Sequence, residues 1–420
     1  MFPKVTVLFV LTVLTAVGRA EPEAALVPDQ DLQAAGLSRY WQAHLPLAPG
    51  DSVDTAMRVD EVLYAISDLG LLYAVTADTG LIRWARKVAE PDHQIYRPSH
   101  VRTSTGTGPV ILATTRKVLV IDRYSGELLQ SFEPPFAAGA GAVADGGIVY
   151  MGSAGGRFYS LQLAYPEPYK RWEVLADGPV TTTPVLYDRN MLLFVGQNGT
   201  VFTCRASDKT FKWRSRPGGP IMTEVAVDED GVYLASLDRS LYKVNLDTGR
   251  LAWRVRLPRP LLEGPLAIAH TVFQYCTDHG LSAIDADTGT ERWRRPDGRT
   301  LAAHTRGGDL LLTEDRRLNL VDHETGDLLQ EVDAPAVTAA VSNTLDDAAY
   351  VYAADGRVLC VRLDSVPYLR RQQVLSAREQ LTQPPTAETT AASAEAGPAS
   401  SRTDRRDQDP LRSRRDTGRD

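Results

Sequence analysis

Cysteine is nearly absent from this chain. Its 420 residues hold 3, Cys204, Cys276 and Cys360, too far apart for a CxxC zinc site and too few for a disulfide framework. Positive charge is not in excess either: Lys and Arg number 46 against 53 Asp and Glu, a net of −7. A cationic nucleic-acid binder runs the other way, so no nucleic-acid partner is expected. After the first twenty residues no apolar run is long enough to span a bilayer. Aromatic residues stop altogether at Tyr368, which separates a foldable body from a tail.

The N-terminus has the pattern of a secretory signal. Lys4 supplies the positive charge, residues 5–17 form a largely apolar run, and Gly18-Arg19-Ala20 offers small residues around a cut after Ala20. A largely apolar run of thirteen residues is too short to cross a membrane, so residues 1–20 are expected to be removed after export, an uncleaved anchor being the alternative. No lipobox Cys follows Ala20, so no lipid anchor is expected. Residues 21–36, with Pro22 and Pro28, read as a linker. Residues 369–420 hold only five Leu, Ile or Val but ten Arg and eight acidic side chains. A segment that poor in apolar surface cannot offset its chain entropy, so it is expected to be a disordered, Arg-rich tail. A second reading is an electrostatic tether to anionic lipid or to a partner, making any membrane contact indirect or through the tail.

What is there, between these ends, is a repeat. Ala74-Val75-Thr76-Ala77-Asp78-Thr79-Gly80 precedes Trp84; Asp247-Thr248-Gly249 precedes Trp253; Ala283-Ile284-Asp285-Ala286-Asp287-Thr288-Gly289 precedes Trp293. Weaker copies keep the Gly and lose the Trp, at Gly126 with Gln130 and Gly326 with Gln330, or keep the Trp and lose the Gly, at Trp172 and Trp213. Successive Trp or Gln slots lie 46, 42, 41, 40, 40 and 37 residues apart. A period near 40 is the mark of a β-propeller blade.

Each repeat reads as four short strands. Residues 240–245 alternate apolar and polar as a half-buried strand would, and Asp-Thr-Gly closes the hairpin that follows. The Trp then opens the outer strand, where its face can pack between blades; a ligand-stacking ladder is the alternative. Residues 350–363 supply inner strands with no outer strand after them, whereas Arg39-Tyr40-Trp41-Gln42-Ala43-His44 is an outer strand with no inner ones. Joining the two makes one blade from both termini and removes open sheet edges. The fold expected is therefore all-β: one eight-bladed propeller over residues 37–368.

The A-x-D-x-x-T-G-x-x-x-W pattern resembles the repeat of pyrroloquinoline-quinone-type propellers, best at Ala283 to Trp293. An exported propeller of this length without further domains resembles most the outer-membrane assembly-factor (BamB) family. That resemblance implies a monomeric, non-enzymatic scaffold in the periplasm, peripheral to the outer membrane, which binds a protein partner, the β-barrel assembly subunit. The same repeat occurs in quinone-dependent dehydrogenases, so the competing expectation is a small-ligand or quinone-binding propeller, sensor or oxidoreductase. Adjacent cysteines and a calcium-binding Glu-Asn-Asp set, which those enzymes carry, are not found here. A secreted WD-type scaffold is a third reading, disfavoured because no Asp follows any Trp.

No catalytic, cofactor or metal constellation is legible. The seven His lack HExxH spacing, and Gly152-Ser153-Ala154-Gly155-Gly156 lacks the first Gly of a nucleophile elbow. Asp228-Glu229-Asp230-Gly231 is expected to be a hairpin turn rather than a calcium loop, and Asn198-Gly199-Thr200 a turn rather than a glycosylation site. Gly139-Ala140-Gly141 suits a crowded inner strand, and His323 reads as an exposed turn residue. The connection from residue 86 to just beyond 99 is unusually long, which makes Tyr96, Arg97 and His100 the candidate partner-binding residues.

Overall fold

The computed structural model describes residues 25–382 apart from 105, 165, 166 and 189, so the signal segment and the last 38 residues of the tail lie outside it. The chain is all-β. Among the described residues its strands form six sheets of four and one of eight. The larger sheet is two antiparallel four-stranded runs joined at a single parallel pair, Asp145 with Arg102. Eight four-stranded units result. The first combines residues 37–44 with 339–363, and the others follow in order at 53–87, 99–132, 138–175, 185–215, 226–256, 266–295 and 298–333.

The orphan outer strand is Leu37–His44, and its partner is Arg357–Leu363, with Trp41 opposite Cys360. The two ends of the body thus share one sheet. Among the described residues eight buried apolar clusters complete the core, each drawn from two neighbouring units; one of them joins the eighth unit to the first through Leu318, Leu320, Val332 and Val361. Because the middle strands are covered on both faces, they are buried along their whole length, as in Val62–Ser67 and Gly231–Ala235. This corrects the half-buried reading of residues 240–245. In Ser240–Asn245 even Lys243 is buried, its Nζ donating to the carbonyl of Ala286 at 2.9 Å.

The repeat residues hold neighbouring units together. In every unit a register shift falls just ahead of the Trp or Gln slot, for example where Ala283 faces Trp293 but Ile284 faces Glu291. The bulged residue turns the indole out of its own sheet and toward the next. There its Nε1 donates to a turn carbonyl: Trp41 to Ala77, Trp84 to Arg123, Trp172 to Ala206, Trp213 to Leu246, Trp253 to Ala286 and Trp293 to His323, all between 2.8 and 3.2 Å. Five of these rings lie on the turn glycines Gly80, Gly126, Gly249, Gly289 and Gly326, whose φ values of +70° to +72° no β-carbon would tolerate in that contact. Trp172 meets instead a turn in which Lys209 takes the left-handed conformation, φ +56°.

Two boundaries differ from the sequence reading. Residues 25–36 are no linker: Leu26, Val27 and Leu32 are buried among the eighth and first units, and Asp29–Ala34 is a short helix. Similarly, the expected disorder from residue 369 gives way to a helix at Arg371–Thr382, exposed over most of its surface. Among the described residues no helix is long and apolar enough to cross a membrane.

Candidate functional site

The innermost strands begin with short segments that have no ladder partner on one side: Arg97-Pro98-Ser99, Thr183-Pro184-Val185, Glu224-Val225-Ala226 and Gly264-Pro265-Leu266. Proline is tolerated there because it has no N–H to leave unpaired. In the fourth unit the space is tighter. A β-carbon on Gly141 would stand 2.7 Å from Thr183 Oγ1 and 2.8 Å from the carbonyl of Arg97, so small residues are needed.

Together these segments line a cavity of about 630 Å³, with walls from the first through the seventh unit. Arg97, His100 and Arg102 face it, as do Asp60, Glu224 and Thr344. Its charged groups are largely spent on holding units to one another. Glu224 accepts from the backbone N–H of Thr183 at 2.9 Å and from its hydroxyl at 2.7 Å. Arg102 donates to the carbonyls of Leu186 and Asp188. Arg58, which is buried, reaches the first unit through Asp346 at 2.8 Å and Asn343 Oδ1 at 3.1 Å. Burial works against its charge, but the carboxylate keeps its pKa above the ordinary value.

The three candidate partner residues part company here. Arg97 is exposed and sits on the cavity wall, its Nη2 donating to the carbonyl of Arg58 at 3.2 Å. Tyr96 is half-buried, and its hydroxyl donates to the carbonyl of Ala138 at 2.9 Å. His100 lies within the strand Ser99–Thr103 rather than on a loop and is buried. Its Nε2 is 2.8 Å from the Tyr64 hydroxyl and its Nδ1 is 2.7 Å from Asp60 Oδ2, an interaction that holds the Asp60 carboxyl below its usual range. Arg97 is therefore the one of the three whose charged end is open to a partner, with His100 fixing the wall behind it.

The other sequence candidates are structural. Asp228 Oδ1 accepts from the N–H groups of Asp230 and Gly231 while Oδ2 accepts from the Tyr233 hydroxyl, so the acidic turn is satisfied from within. Asn198 likewise closes its own turn by accepting from Thr200 N–H. The three thiols are unpaired and buried in separate clusters. Burial pushes Cys204 and Cys360 up to about 12 and Cys276 upward, which leaves none of them a thiolate nucleophile at neutral pH.

Two features were missed in the sequence. Met222 and Leu262 are exposed apolar side chains at the same place in consecutive repeats, four residues ahead of the strands Ala226–Val227 and Leu266–Ile268. Their shared position becomes visible only when the repeats are aligned to the strands. His323 is also not a simple exposed turn residue: it contacts Asp309 and His304.

A family model described as outer membrane protein assembly factor BamB matches residues 169–296 and 238–398. The crystal structure of BamB from Moraxella catarrhalis superposes with a TM-score of 0.62 at 18% identity, over 79% of this chain and 99% of that one. The computationally designed Ika8 protein does so at 0.58 and 16%, over 76% and 98%. These likenesses show a β-propeller fold. A tetrathionate hydrolase of Acidithiobacillus ferrooxidans is 25% identical over 205 residues, 48% of this chain, and the match spans little more than a third of that relative (36%).

Proposed function

The chain belongs to the family of the outer membrane protein assembly factor BamB, and from that premise we propose that it is a non-enzymatic, exported protein-binding scaffold serving β-barrel assembly at the outer membrane. The observation that carries this reading is the family match across residues 169–398. The eight units are, in this reading, the blades of one closed propeller, supported by apolar clusters between every consecutive pair, the eighth and first included. Its mechanism is presentation: rigid blades fix the positions of exposed groups such as Arg97, Met222 and Leu262 for a protein partner, the subunit that inserts barrels. The apolar N-terminal residues 5–17 act as the export signal and the protein works in the periplasm.

The test is to tag the exported protein, crosslink it in the cell envelope and identify what copurifies. Recovery of the barrel-assembly subunit, lost on joint substitution of Arg97, Met222 and Leu262 by Ala or Ser, is the expected result. A protein that remains alone under crosslinking removes the assembly-factor reading.

One alternative has an observation in its favour. The similarity to tetrathionate hydrolase, with a cavity of about 630 Å³ that displays Arg97 and Arg102, supports a propeller that takes up a small anion. Saturable binding of tetrathionate by calorimetry, abolished in Arg97→Ala, would favour it over the scaffold.

A further inference from the structure

The eighth unit carries a second constellation, unrelated to the cavity just described. In its first hairpin His304 and Asp309 are cross-strand partners, joined through the turn Thr305 to Gly308. Asp309 in turn faces Val321 on the next strand, and His323 follows two positions later. Sheet register therefore gathers three potential ligands at one end of the unit, from positions 304, 309 and 323.

The Asp309 side chain is 2% exposed. One of its oxygens, Oδ1, lies 2.7 Å from His304 Nδ1 and 3.0 Å from His323 Nδ1, and the two imidazole ring centres are 4.2 Å apart. His323 is already oriented: its Nε2 is 2.9 Å from the carbonyl of Thr305, which can only accept, so Nε2 carries a proton. In the neutral ring that leaves a lone pair on Nδ1, aimed into the group. This nitrogen is buried and, although close to Asp309, makes no hydrogen bond of acceptable direction. His304 Nδ1 pairs with Asp309 Oδ1, so the unsatisfied atom of the group is His323 Nδ1, held with the other two donors within 4.8 Å, as ligands of one ion would be.

The contrast with His100 sharpens the point. That histidine also stands beside carboxylates, Asp60 and Glu61, but its two nitrogens are both engaged, by Asp60 and Tyr64. It has no donor left over, whereas His323 does.

We propose that His304, Asp309 and His323 form a binding site for a divalent transition-metal cation of the zinc class. Imidazole and carboxylate donors suit such an ion, and the bond from His323 to a backbone carbonyl is the usual way a ligating ring is held. Ligands on a zinc ion at its ordinary bond lengths stand roughly 3.3 Å apart. The rings need withdraw only a few tenths of an ångström to admit it. The cation would leave one position open, facing a cavity of about 450 Å³ lined by both histidines, Arg306, Asp346 and Asp347. The last two carboxylates are engaged with Arg58 and Arg362, so the fourth ligand is water.

The probe is cobalt(II) titrated into the chelator-stripped full-length protein, followed by displacement with zinc. The expected result is one equivalent bound, with the intense visible bands of a four- or five-coordinate centre, lost as zinc replaces it. His304→Gln and His323→Gln should each weaken binding at least roughly tenfold, and zinc should raise the melting temperature of the parent but of neither variant. A spectrum unchanged from aqueous cobalt, or binding of full strength in both variants, overturns the site. Asp309→Asn is less informative because a buried group is altered, so the two partly exposed histidines carry the test. The outcome is independent of which partner the scaffold binds.

Discussion

The indole of Trp253 lies across Gly289 of the next unit, and its Nε1 donates to the Ala286 carbonyl of the same turn at 2.9 Å. Sequence repeat and tertiary contact are here the same thing. The Gly permits the ring to approach, the bulge before Trp253 aims it, and Asp285 shapes the turn by accepting from the N–H and hydroxyl of Thr288.

Gly289→Ala tests that coupling. A β-carbon there would stand 2.8 Å from Trp253 Cδ2 at a backbone φ of +72°. Left-handed strain and overpacking add, so a loss of roughly 2–5 kcal/mol is expected in urea unfolding. A loss under 1 kcal/mol would mean that the ring yields at little cost and that the repeat is not what holds units together.

Asp346→Asn probes the junction between the first and second units. Burial pushes the Asp346 carboxyl up, but hydrogen bonds from Arg58, the Ala348 N–H and Asn343 outweigh it and hold the pKa below the ordinary value. A depressed carboxylate contributes stability above its unfolded pKa, and this is lost as pH falls through the folded value. The variant should therefore be less stable by about 1–3 kcal/mol at pH 7, discounted for the partial exposure of the pair. The gap should close below about pH 4. Urea midpoints of both proteins across pH 2.5 to 7 decide it, and a gap that widens in acid contradicts the assignment.

Leu32→Ala removes a side chain with no exposed surface from the cluster between the eighth and first units. Truncation of a large buried apolar residue costs about 2–5 kcal/mol. If thermal unfolding shifts by less than a degree, residues 25–36 are the linker that the sequence suggested.

The thiols give a kinetic prediction. With all three buried and their pKa values raised, none should react with a disulfide reagent in native buffer within an hour, and three should react once the protein is denatured. Rapid modification of one equivalent in the native protein would contradict their placement.

What was legible in the sequence is what the repeat writes locally. The Trp slots, the turn glycines and the split unit at the termini could be read because each uses a fixed short spacing. Burial was harder. Ser240–Asn245 alternates in composition yet is buried up to Val244, because neighbouring units cover both faces and Lys243 finds a carbonyl. Residues 25–36 looked like a linker because Leu26, Val27 and Leu32, interrupted by Pro28, make no period of their own. The helix Arg371–Thr382 follows local preference, since Gln, Leu, Ala, Arg and Glu are good helix formers, even in a segment too polar to build a core. His100 was singled out as a loop residue, but its buried surroundings were not, because Tyr64 reaches it from the neighbouring sheet. The group around Asp309 escaped because strand register brings His304, Asp309 and His323 together, which no spacing rule encodes.

The pairing of Leu37–His44 with Arg357–Leu363 fixes an order of events in the life of the molecule. The first strand is made early, yet its partner arrives more than three hundred residues later, and until then its N–H and C=O groups are an open template for any passing chain. Local hairpins can form as they emerge, but the last contact pays the entropy of the longest loop the chain can make. A polypeptide released before residue 357 is therefore not a smaller version of this protein. It has one bare strand at its start, an unfinished sheet at its end, and a strong tendency to find another copy of itself.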